Sequence, residues 1–462
     1  MSCLWDSIAP AGAAIRGEFH GRGASIALAE LTAGSIFGAA LESIRGRSVL
    51  LATREQLPTA LALVELDGVA RRMVLCTPDL TPAQLAQVAA TAEADAIVID
   101  AQSSVTAPAG LARFELAPQP VNGSIKRRAG EATEWILLTS GTTGLPKLVA
   151  HTLQSLGGAL PTQTVSGAAS VWSTFYDIRR YGGLQIYLRA VLAGSPLVLS
   201  SSGESILDFL QRAAAARVTH ISGTPSHWRR ALMSGKAALL TPQYVRLSGE
   251  VADQPLLDNL RAVYPDARIA HAFASTEAGV AFDVNDGLAG FPVNFIDNPS
   301  AEIELKIVDH TLRIRSGRNA ARYLGAAPEV LVSEDGYVDT GDMVELVDGR
   351  YYFRGRRGGV INVGGLKVYP EEVESVLNAD PRVRMSLVRS RRNPITGAVV
   401  VADVVLANPT SSAASDAPDL VKNDLLDTCR RALAAHKVPA TLRFVPALEF
   451  TAAGKLVRPS AL

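Results

Sequence analysis

Short apolar runs alternate with helical patterns over the first third of the chain. The runs at 48–53, 73–76 and 96–100 are short and continuous, which is typical of strands that are buried on both faces. A helical pattern over 81–94 lies between the last two and begins with threonine and proline, a good N-cap followed by a residue suited to the first turn. This alternation predicts an α/β fold with a largely parallel sheet.

The same alternation returns in the middle of the chain. Residues 207–216 and 256–264 have the apolar spacing of helices, and Pro225 marks the start of another. Strands are predicted after two of these helices, at 218–221 and 267–273. The middle third is therefore expected to continue the α/β architecture.

From about residue 299 the pattern changes to strict alternation of apolar and polar positions. Residues 302–308 and 311–315 show it clearly, and it is the signature of antiparallel strands with one solvated face. The pair Asp348-Gly349 separates two further strand-like runs and predicts a hairpin turn. This part of the chain is expected to be rich in β-structure.

A cluster of arginine and glycine at 355–359 interrupts these strands, and adjacent glycines suit a hinge better than the interior of an element. Beyond it, helices from Pro370 and over 419–435 flank a strand at 399–406. We therefore predict an α/β protein with a large N-terminal domain, 1–355, that contains α/β subdomains and a β-rich portion. A small mobile α+β domain, 356–462, follows a hinge near Gly358.

Composition excludes several classes of function. The 462 residues carry no formal net charge, so the basic excess of a nucleic-acid binder is missing. The three cysteines, Cys3, Cys76 and Cys429, form no close pair and indicate neither a disulfide framework nor a zinc site. The N-terminus lacks the pattern of a secretory signal and no apolar run is long enough to span a membrane. We expect a cytoplasmic enzyme and leave open a homodimer.

The strongest chemical signal is an apolar strand that runs into a loop of hydroxyls and glycines and ends in a lysine. Glycines let backbone N–H groups turn towards an anion, hydroxyls add donors and the lysine adds charge, so the loop suits a triphosphate. The spacing is not that of a P-loop, which disfavours a P-loop kinase. The predicted phosphate-binding residues are Thr139, Ser140, Gly141, Thr142, Thr143, Gly144 and Lys147.

Residues 139–147 resemble the signature TSGTTGxPK of the acyl-adenylate-forming (AMP-binding) superfamily, which includes acyl- and aryl-CoA synthetases, peptide-synthetase adenylation domains and luciferases. Further motifs recur in that superfamily's order over nearly the whole chain. The segment from Phe273 to Glu277, Phe-Ala-Ser-Thr-Glu, resembles YGxTE. The resemblance implies that Thr276 contacts the α-phosphate and that Glu277 holds Mg²⁺, a role that suits a hard oxygen ligand.

Two departures from that motif affect the expected nucleotide and acid pockets. Phe273 replaces tyrosine, which keeps an aromatic surface for adenine, and Ala274 replaces glycine, which adds a methyl group beside the acyl pocket. Ser275 completes the predicted nucleotide contacts of this segment. The pocket is therefore expected to be narrow.

Three motifs nearer the C-terminus extend the resemblance. It implies that Asp342 accepts hydrogen bonds from the ribose hydroxyls and that Arg356 also reaches the nucleotide. Gly364 and Gly365 resemble the loop that enters for a second half-reaction and lets a pantetheine arm pass. Lys455, which on its own would be read as a solvated surface lysine, resembles the catalytic lysine of adenylation.

The resemblance implies a two-step reaction with ATP, Mg²⁺ and coenzyme A. An acid would be converted to acyl-AMP with release of pyrophosphate, and the acyl group would pass to the coenzyme A thiol. Two alternatives stay open: loading of an amino or aryl acid onto the phosphopantetheine of a separate carrier protein, and a non-catalytic nucleotide-binding module. Nucleic acids are not expected partners.

A small aliphatic or aryl acid is the expected substrate, because alanine narrows the pocket. Asp177 is a candidate for binding an α-ammonium group, whereas Arg179 or Arg180 is a candidate for binding a second carboxylate. The predicted lining of the acid pocket is Tyr176, Asp177, Arg180, Gly183, Ser222, Gly249 and Ala272.

Overall fold

A computed structural model of the chain describes residues 3–122, 130–139, 145–158, 160, 170–201, 203–298, 302–325, 330–394, 396–407, 418–451 and 454–458. Within these residues, two large mixed sheets and an antiparallel sheet form the first part of the chain, and a small α+β unit forms the last. The predicted α/β class is confirmed.

The first sheet is mostly parallel, with an antiparallel strand at each edge. Helices Ile206–Ala215, Pro225–Met233 and Gln254–Val263 bury apolar residues against one face. Helix Tyr181–Leu192 packs in the apolar core on the other face of the sheet. In spatial order its strands are Gly279–Val284, Arg268–Ser275, Tyr244–Ser248, His220–Gly223, Trp172–Thr174, Leu197–Leu199, Glu18–His20 and Ser25–Ala27.

The second sheet is parallel over five strands and antiparallel at one end. Helix Gln56–Leu66 lies in the same apolar core as helix Tyr181–Leu192 of the first sheet, and helix Pro82–Thr91 packs in a separate core. In spatial order the strands are Arg322–Tyr323, Lys147–His151, Glu134–Thr139, Arg72–Leu75, Ser48–Leu51, Ala96–Ile99 and Ala112–Glu115.

The third sheet is antiparallel throughout. Its rings Phe291 and Phe353 pack together, and Phe273 of the first sheet stacks on Phe353. Asp348 and Gly349 both have positive φ, 47° and 78°, as a tight hairpin turn requires. The strands in spatial order are Phe291–Pro292, Arg350–Arg356, Val338–Val347, Thr311–Ser316 and Ile303–Val308.

The small unit has its own apolar core. A hairpin of Ile361–Val363 and Leu366–Val368 precedes a sheet of Val383–Asn393, Gly397–Leu406 and Thr441–Phe444. Helices Pro370–Asn378 and Pro418–Ala432 pack on it.

The remaining elements are helices Trp5–Ile8, Leu28–Ala33, Leu153–Gly157 and Asn294–Asp297, 3₁₀ turns Ala9–Ala14, Gly38–Ile44, Ala237–Leu239, Arg357–Gly359 and Ala435–Lys437, and paired strands Gly34–Ser35 and Val121–Asn122.

The predicted elements are confirmed within a few residues of their observed bounds. The Thr81 side chain caps helix Pro82–Thr91 by accepting a hydrogen bond from the Gln84 N–H. The Gln84 side-chain oxygen in turn accepts a hydrogen bond from the Thr81 N–H. The helix expected over 81–94 ends earlier, at Thr91, and the last long helix ends at Ala432 rather than at residue 435. The boundary between the domains stays a prediction, and Gly358 lies in an exposed 3₁₀ turn.

Candidate active site

The candidate site lies at the carboxyl ends of parallel strands in the first sheet. Four of these strands are in register, so their ends meet at one edge, and such an edge is where open α/β sheets bind ligands. The residues that follow these strand ends are Phe175 and Tyr176, Thr224, Gly249 and Glu250, and Thr276 and Glu277.

Lys147 and Glu277 lie on either side of one tyrosine. Thr139 and Lys147 are paired at the ends of two antiparallel strands. The predicted phosphate-binding residues Ser140, Gly141, Thr142, Thr143 and Gly144 lie outside the described residues. The Lys147 ammonium is 5.4 Å from the centre of the Tyr323 ring. The Tyr323 hydroxyl is 3.5 Å from Glu277 Oε1.

The backbone around Thr276 and Glu277 is fixed from several directions. His151 Nε2 lies 2.7 Å from the Thr276 carbonyl oxygen and donates to it. Burial of the imidazole lowers the pKa of His151 to about 4, so the ring is neutral near pH 7. The Ala320 N–H donates to the Glu277 carbonyl at 2.9 Å, and Ser275 Oγ accepts from the Ala278 N–H at 3.0 Å. The Glu277 carboxylate thus projects from a rigid turn.

Asp342 and Arg356 form an ion pair, with Arg356 Nε 3.3 Å from Asp342 Oδ1. Burial raises the pKa of Asp342, and the neighbouring guanidinium opposes that shift. The Thr340 hydroxyl accepts from the Asp342 backbone N–H at 3.1 Å. A carboxylate held this way retains a second oxygen that can accept from a ligand hydroxyl.

Lys455 is brought to the same sheet edge by a turn of the small unit. Leu456 N donates to Glu250 Oε1 at 3.2 Å, and Thr224 Oγ1 donates to the Gly454 carbonyl at 3.0 Å. Desolvation lowers the pKa of Lys455, while the charges of Glu250 and Asp342 act in the opposite direction. The residue still reaches solvent, which limits the size of this shift.

Residues 49–319 match the family described as AMP-binding enzyme, and residues 372–455 match its C-terminal domain. The chain belongs to the AMP-binding enzyme family. In the described residues, Glu277 follows a strand of this sheet edge, and the turn that carries Lys455 is bonded to Thr224 and Glu250 at the same edge. Their roles in the reaction stay predictions.

Individual relatives differ in what their names describe. The chain is 28% identical over 349 residues to a 2-succinylbenzoate–CoA ligase of Bacillus velezensis, covering 71% of this chain and 68% of the ligase. It is 28% identical over 374 residues to an isonitrile lipopeptide synthase of Streptomyces coeruleorubidus, covering 74% of this chain and 24% of the synthase. A solved anthranilate CoA ligase in complex with anthranoyl-AMP has a TM-score of 0.79 at 17% identity, covering 98% of this chain and 95% of that one.

The three charged candidates for binding the acid are each engaged by another side chain of this AMP-binding enzyme. Arg179 binds both carboxylate oxygens of Asp177, at 2.8 and 2.6 Å; its own side chain is buried, and that of Asp177 is partly exposed. Both groups are thus already paired within the chain, and an acid-binding role for Asp177 or Arg179 stays a prediction. Arg180 donates to the two oxygens of Asp79 at 3.1 and 3.0 Å, which weakens its role as a carboxylate ligand.

Several other predicted pocket residues line the first sheet near its edge. The Tyr176 hydroxyl donates to the Ser248 carbonyl at 2.6 Å, and Ala272 is buried beside that strand. Ala274 is partly buried against the core. Gly183 lies so close to the backbone of residue 177 that a β-carbon would overlap it. These assignments stay predictions.

The predicted adenine surface and the predicted mobile loop have clear positions. The Phe273 ring stacks on Phe353, with centroids 5.1 Å apart and an interplanar angle of 8°, and is half-buried. Gly364 and Gly365 form the exposed two-residue turn of a hairpin, with φ of 59° and 88°, values that favour glycine at both positions. The adenine-binding role of Phe273 and the mobility of the Gly364-Gly365 turn stay predictions.

The sequence reasoning named Ser222 as a pocket residue but missed Arg246 and Arg189. Ser222 and Arg246 are neighbours across two strands, both buried, and the Ser222 hydroxyl has no hydrogen-bond partner within the described residues. Arg246 binds Asp283 at 2.8 Å. Arg189 lies 5.4 Å from the Trp172 ring; within the described part of the chain Asp283 attracts its guanidinium without forming an ion pair at contact distance. Only the tertiary fold brings these residues together.

No helix in the described ranges is long and apolar enough to cross a bilayer. Those ranges also contain no group of three or more His, Cys, Asp or Glu side chains that could hold a metal ion.

Proposed function

We propose that this AMP-binding enzyme activates a small or aryl carboxylic acid with ATP to give acyl-AMP and pyrophosphate, and then transfers the acyl group to a thiol. The observation that carries the proposal is the position of Lys455 at the sheet edge where Thr276 and Glu277 also lie. A lysine near the C-terminus reaches that edge only because its turn is bonded to Thr224 and Glu250.

The first step joins two anions, so the site has to offset their repulsion. The acid carboxylate attacks the α-phosphorus of ATP, the new C(O)O–P bond forms and pyrophosphate leaves. Lys455 supplies positive charge where charge accumulates in the transition state, and donors held in advance are the largest source of such stabilisation. Asp342 and Arg356 hold the ribose, and the hydroxyl- and glycine-rich segment that ends at Lys147 holds the phosphates.

A single carboxylate suits Mg²⁺ at this site. Mg²⁺ keeps several waters and binds one or two carboxylates together with substrate phosphates, rather than a cage of protein ligands. Glu277 would hold the ion, which would neutralise phosphate charge. The fixed turn beneath Glu277 limits the orientations of that carboxylate.

The second step needs the acyl-adenylate carbonyl to become accessible to a thiol. A rotation about the turn at Gly358 would withdraw Lys455 and bring in the Gly364-Gly365 hairpin. The thiol sulfur then bonds to the acyl carbon, the acyl–phosphate oxygen bond breaks and AMP leaves. Coenzyme A is the proposed acceptor, supported by the name of the ligase relative. The name of the synthase relative keeps a carrier-protein acceptor as the alternative.

The acid is proposed to carry a second polar, preferably anionic, group. Arg189 is a cation that makes no contact ion pair in the described ranges, with Asp283 attracting it from further away, and the Ser222 hydroxyl is buried without a hydrogen bond there. Arg246 lies three residues before Gly249, about 10 Å along the strand at the usual rise. A small aryl or aliphatic diacid would fit this arrangement, with its reactive carboxylate near Lys455 and its second carboxylate near these side chains.

Replacing Arg189 with methionine is expected to raise KM at least about 10-fold for a diacid and to leave KM for the matching monoacid nearly unchanged, because hydrogen bonds to charged groups are worth about 1.5–3 kcal/mol. Thioester formation with matched acid pairs measures the effect. Equal losses for both acids would refute the assignment.

Pyrophosphate release with an acid panel, with and without coenzyme A, tests the proposed function. Release together with AMP and a thioester supports it. Release without a thioester favours a carrier protein, which purified phosphopantetheinylated carrier would reveal. ATP binding without release for any acid would favour the non-catalytic module.

A further inference from the structure

The turn that carries Lys455 is bound through its backbone to the large domain. Glu250 Oε1 accepts from the Leu456 N–H at 3.2 Å, and Glu250 Oε2 accepts from the Ser226 N–H at 2.9 Å. Thr224 Oγ1, the N-cap of helix Pro225–Met233, donates to the Gly454 carbonyl at 3.0 Å. The bonds therefore recognise the shape of the turn and leave the lysine side chain available for the reaction.

Steric fit adds to these bonds. Gly454 has φ of 70°, and a β-carbon there would overlap the ring of His227. That ring is buried and stacked on Phe175, with centroids 5.4 Å apart. Burial lowers the pKa of His227 to about 3, so the ring stays neutral and does not repel Lys455. The turn is thus seated on a fixed, uncharged surface.

The contact extends to the rest of the small unit. Arg230 lies over the Phe450 ring, with its guanidinium carbon 5.2 Å from the ring centre, and Phe450 pairs with Leu456. Three residues after Lys455, Arg458 binds both oxygens of the buried Glu374 at 2.8 and 2.6 Å. Holding the turn therefore also holds the small unit through Glu374.

We propose that Glu250, Thr224 and His227 form a dock that holds the Lys455 turn during acyl-adenylate formation and releases it before thioester formation. This inference rests on the proposed function. Glu250 is the key positioning residue, because one carboxylate joins the Leu456 N–H to the helix start at Ser226 and adds attraction for the Lys455 ammonium. Its removal weakens the docked arrangement without altering groups that contact the reacting atoms.

Replacing Glu250 with alanine is expected to lower the rate of acyl-adenylate formation about 10- to 100-fold, the range for losing hydrogen bonds to a charged acceptor. The rate of thioester formation from preformed acyl-AMP should stay within about 3-fold of wild type, since a 3-fold change is less than 1 kcal/mol. Glu250→Gln keeps a hydrogen-bond acceptor but loses the charge, so its rate of acyl-adenylate formation is expected to lie between those of wild type and Glu250→Ala. Glu42→Ala, which removes an exposed carboxylate paired with Arg45, is the control and should leave both rates unchanged.

Hydrogen–deuterium exchange tests the dock without relying on catalysis. In Glu250→Ala, peptides that contain 450–458 are expected to exchange faster than in wild type, while peptides of the strand Tyr244–Ser248 stay protected. Gly454→Ala should give the same result, because its methyl group cannot fit against His227.

Two results would overturn the dock: equal loss of both half-reactions, or unchanged exchange at 450–458 in both variants. A wild-type enzyme that forms no acyl-adenylate with any acid would instead defeat the proposed function, and the exchange measurement would still report on the dock.

Discussion

Replacing Lys455 with alanine is expected to lower acyl-adenylate formation by about 10²- to 10³-fold, the usual loss when one preorganised transition-state donor is removed. Thioester formation from preformed acyl-AMP should change little, because Lys455 is proposed to have left the site by that step. Single-turnover formation of acyl-AMP from ATP and acid, and of thioester from synthetic acyl-AMP, measures the two steps separately.

The matched control is Lys236→Ala, which removes an exposed lysine that follows helix Pro225–Met233. Both rates should stay at the wild-type level in that variant. A Lys455→Ala enzyme that loses both half-reactions equally would show that the lysine supports the fold or both chemical steps, contrary to the proposed division of roles.

The sequence predicted best the elements whose cause is local. Thr81 and Pro82 predict the start of a helix, and Asp348-Gly349 predicts a turn with positive φ. The helix start and the turn were both placed correctly. Helix Gln56–Leu66 was not predicted because it is buried on nearly every side and lacks the polar face that marks an amphipathic helix. Strand–helix alternation gave the fold class, but the order of strands in the two sheets depends on long-range pairing.

The candidate site shows the same division. Glu277 and Lys455 stand in motifs that can be read along the chain, whereas their surroundings come from distant segments. His151 reaches Thr276 across 125 positions, and Glu250 reaches Leu456 across 206. The pairing of Asp177 is of shorter range: a turn lets Arg179 fold back onto the carboxylate, and spacing alone did not reveal it.

Replacing Glu277 with glutamine is expected to raise the Mg²⁺ concentration for half-maximal acyl-adenylate formation at least about 10-fold. An amide keeps the shape of the side chain but removes the negative charge that a hard cation prefers, and weakening even the outer contacts of a metal site usually costs 10- to 100-fold in affinity. Initial rates of pyrophosphate release over a Mg²⁺ titration at saturating ATP measure the shift.

Glu345→Gln is the control, since Glu345 is an exposed carboxylate paired with Arg354 and should leave the Mg²⁺ dependence unaltered. Glu277 also meets the Tyr323 hydroxyl, so Tyr323→Phe shows how much of any loss comes from that contact. If Glu277 acts through the cation, excess Mg²⁺ restores most of the rate in Glu277→Gln. A loss that no Mg²⁺ concentration recovers would instead assign Glu277 to the turn itself, where its carbonyl already binds Ala320.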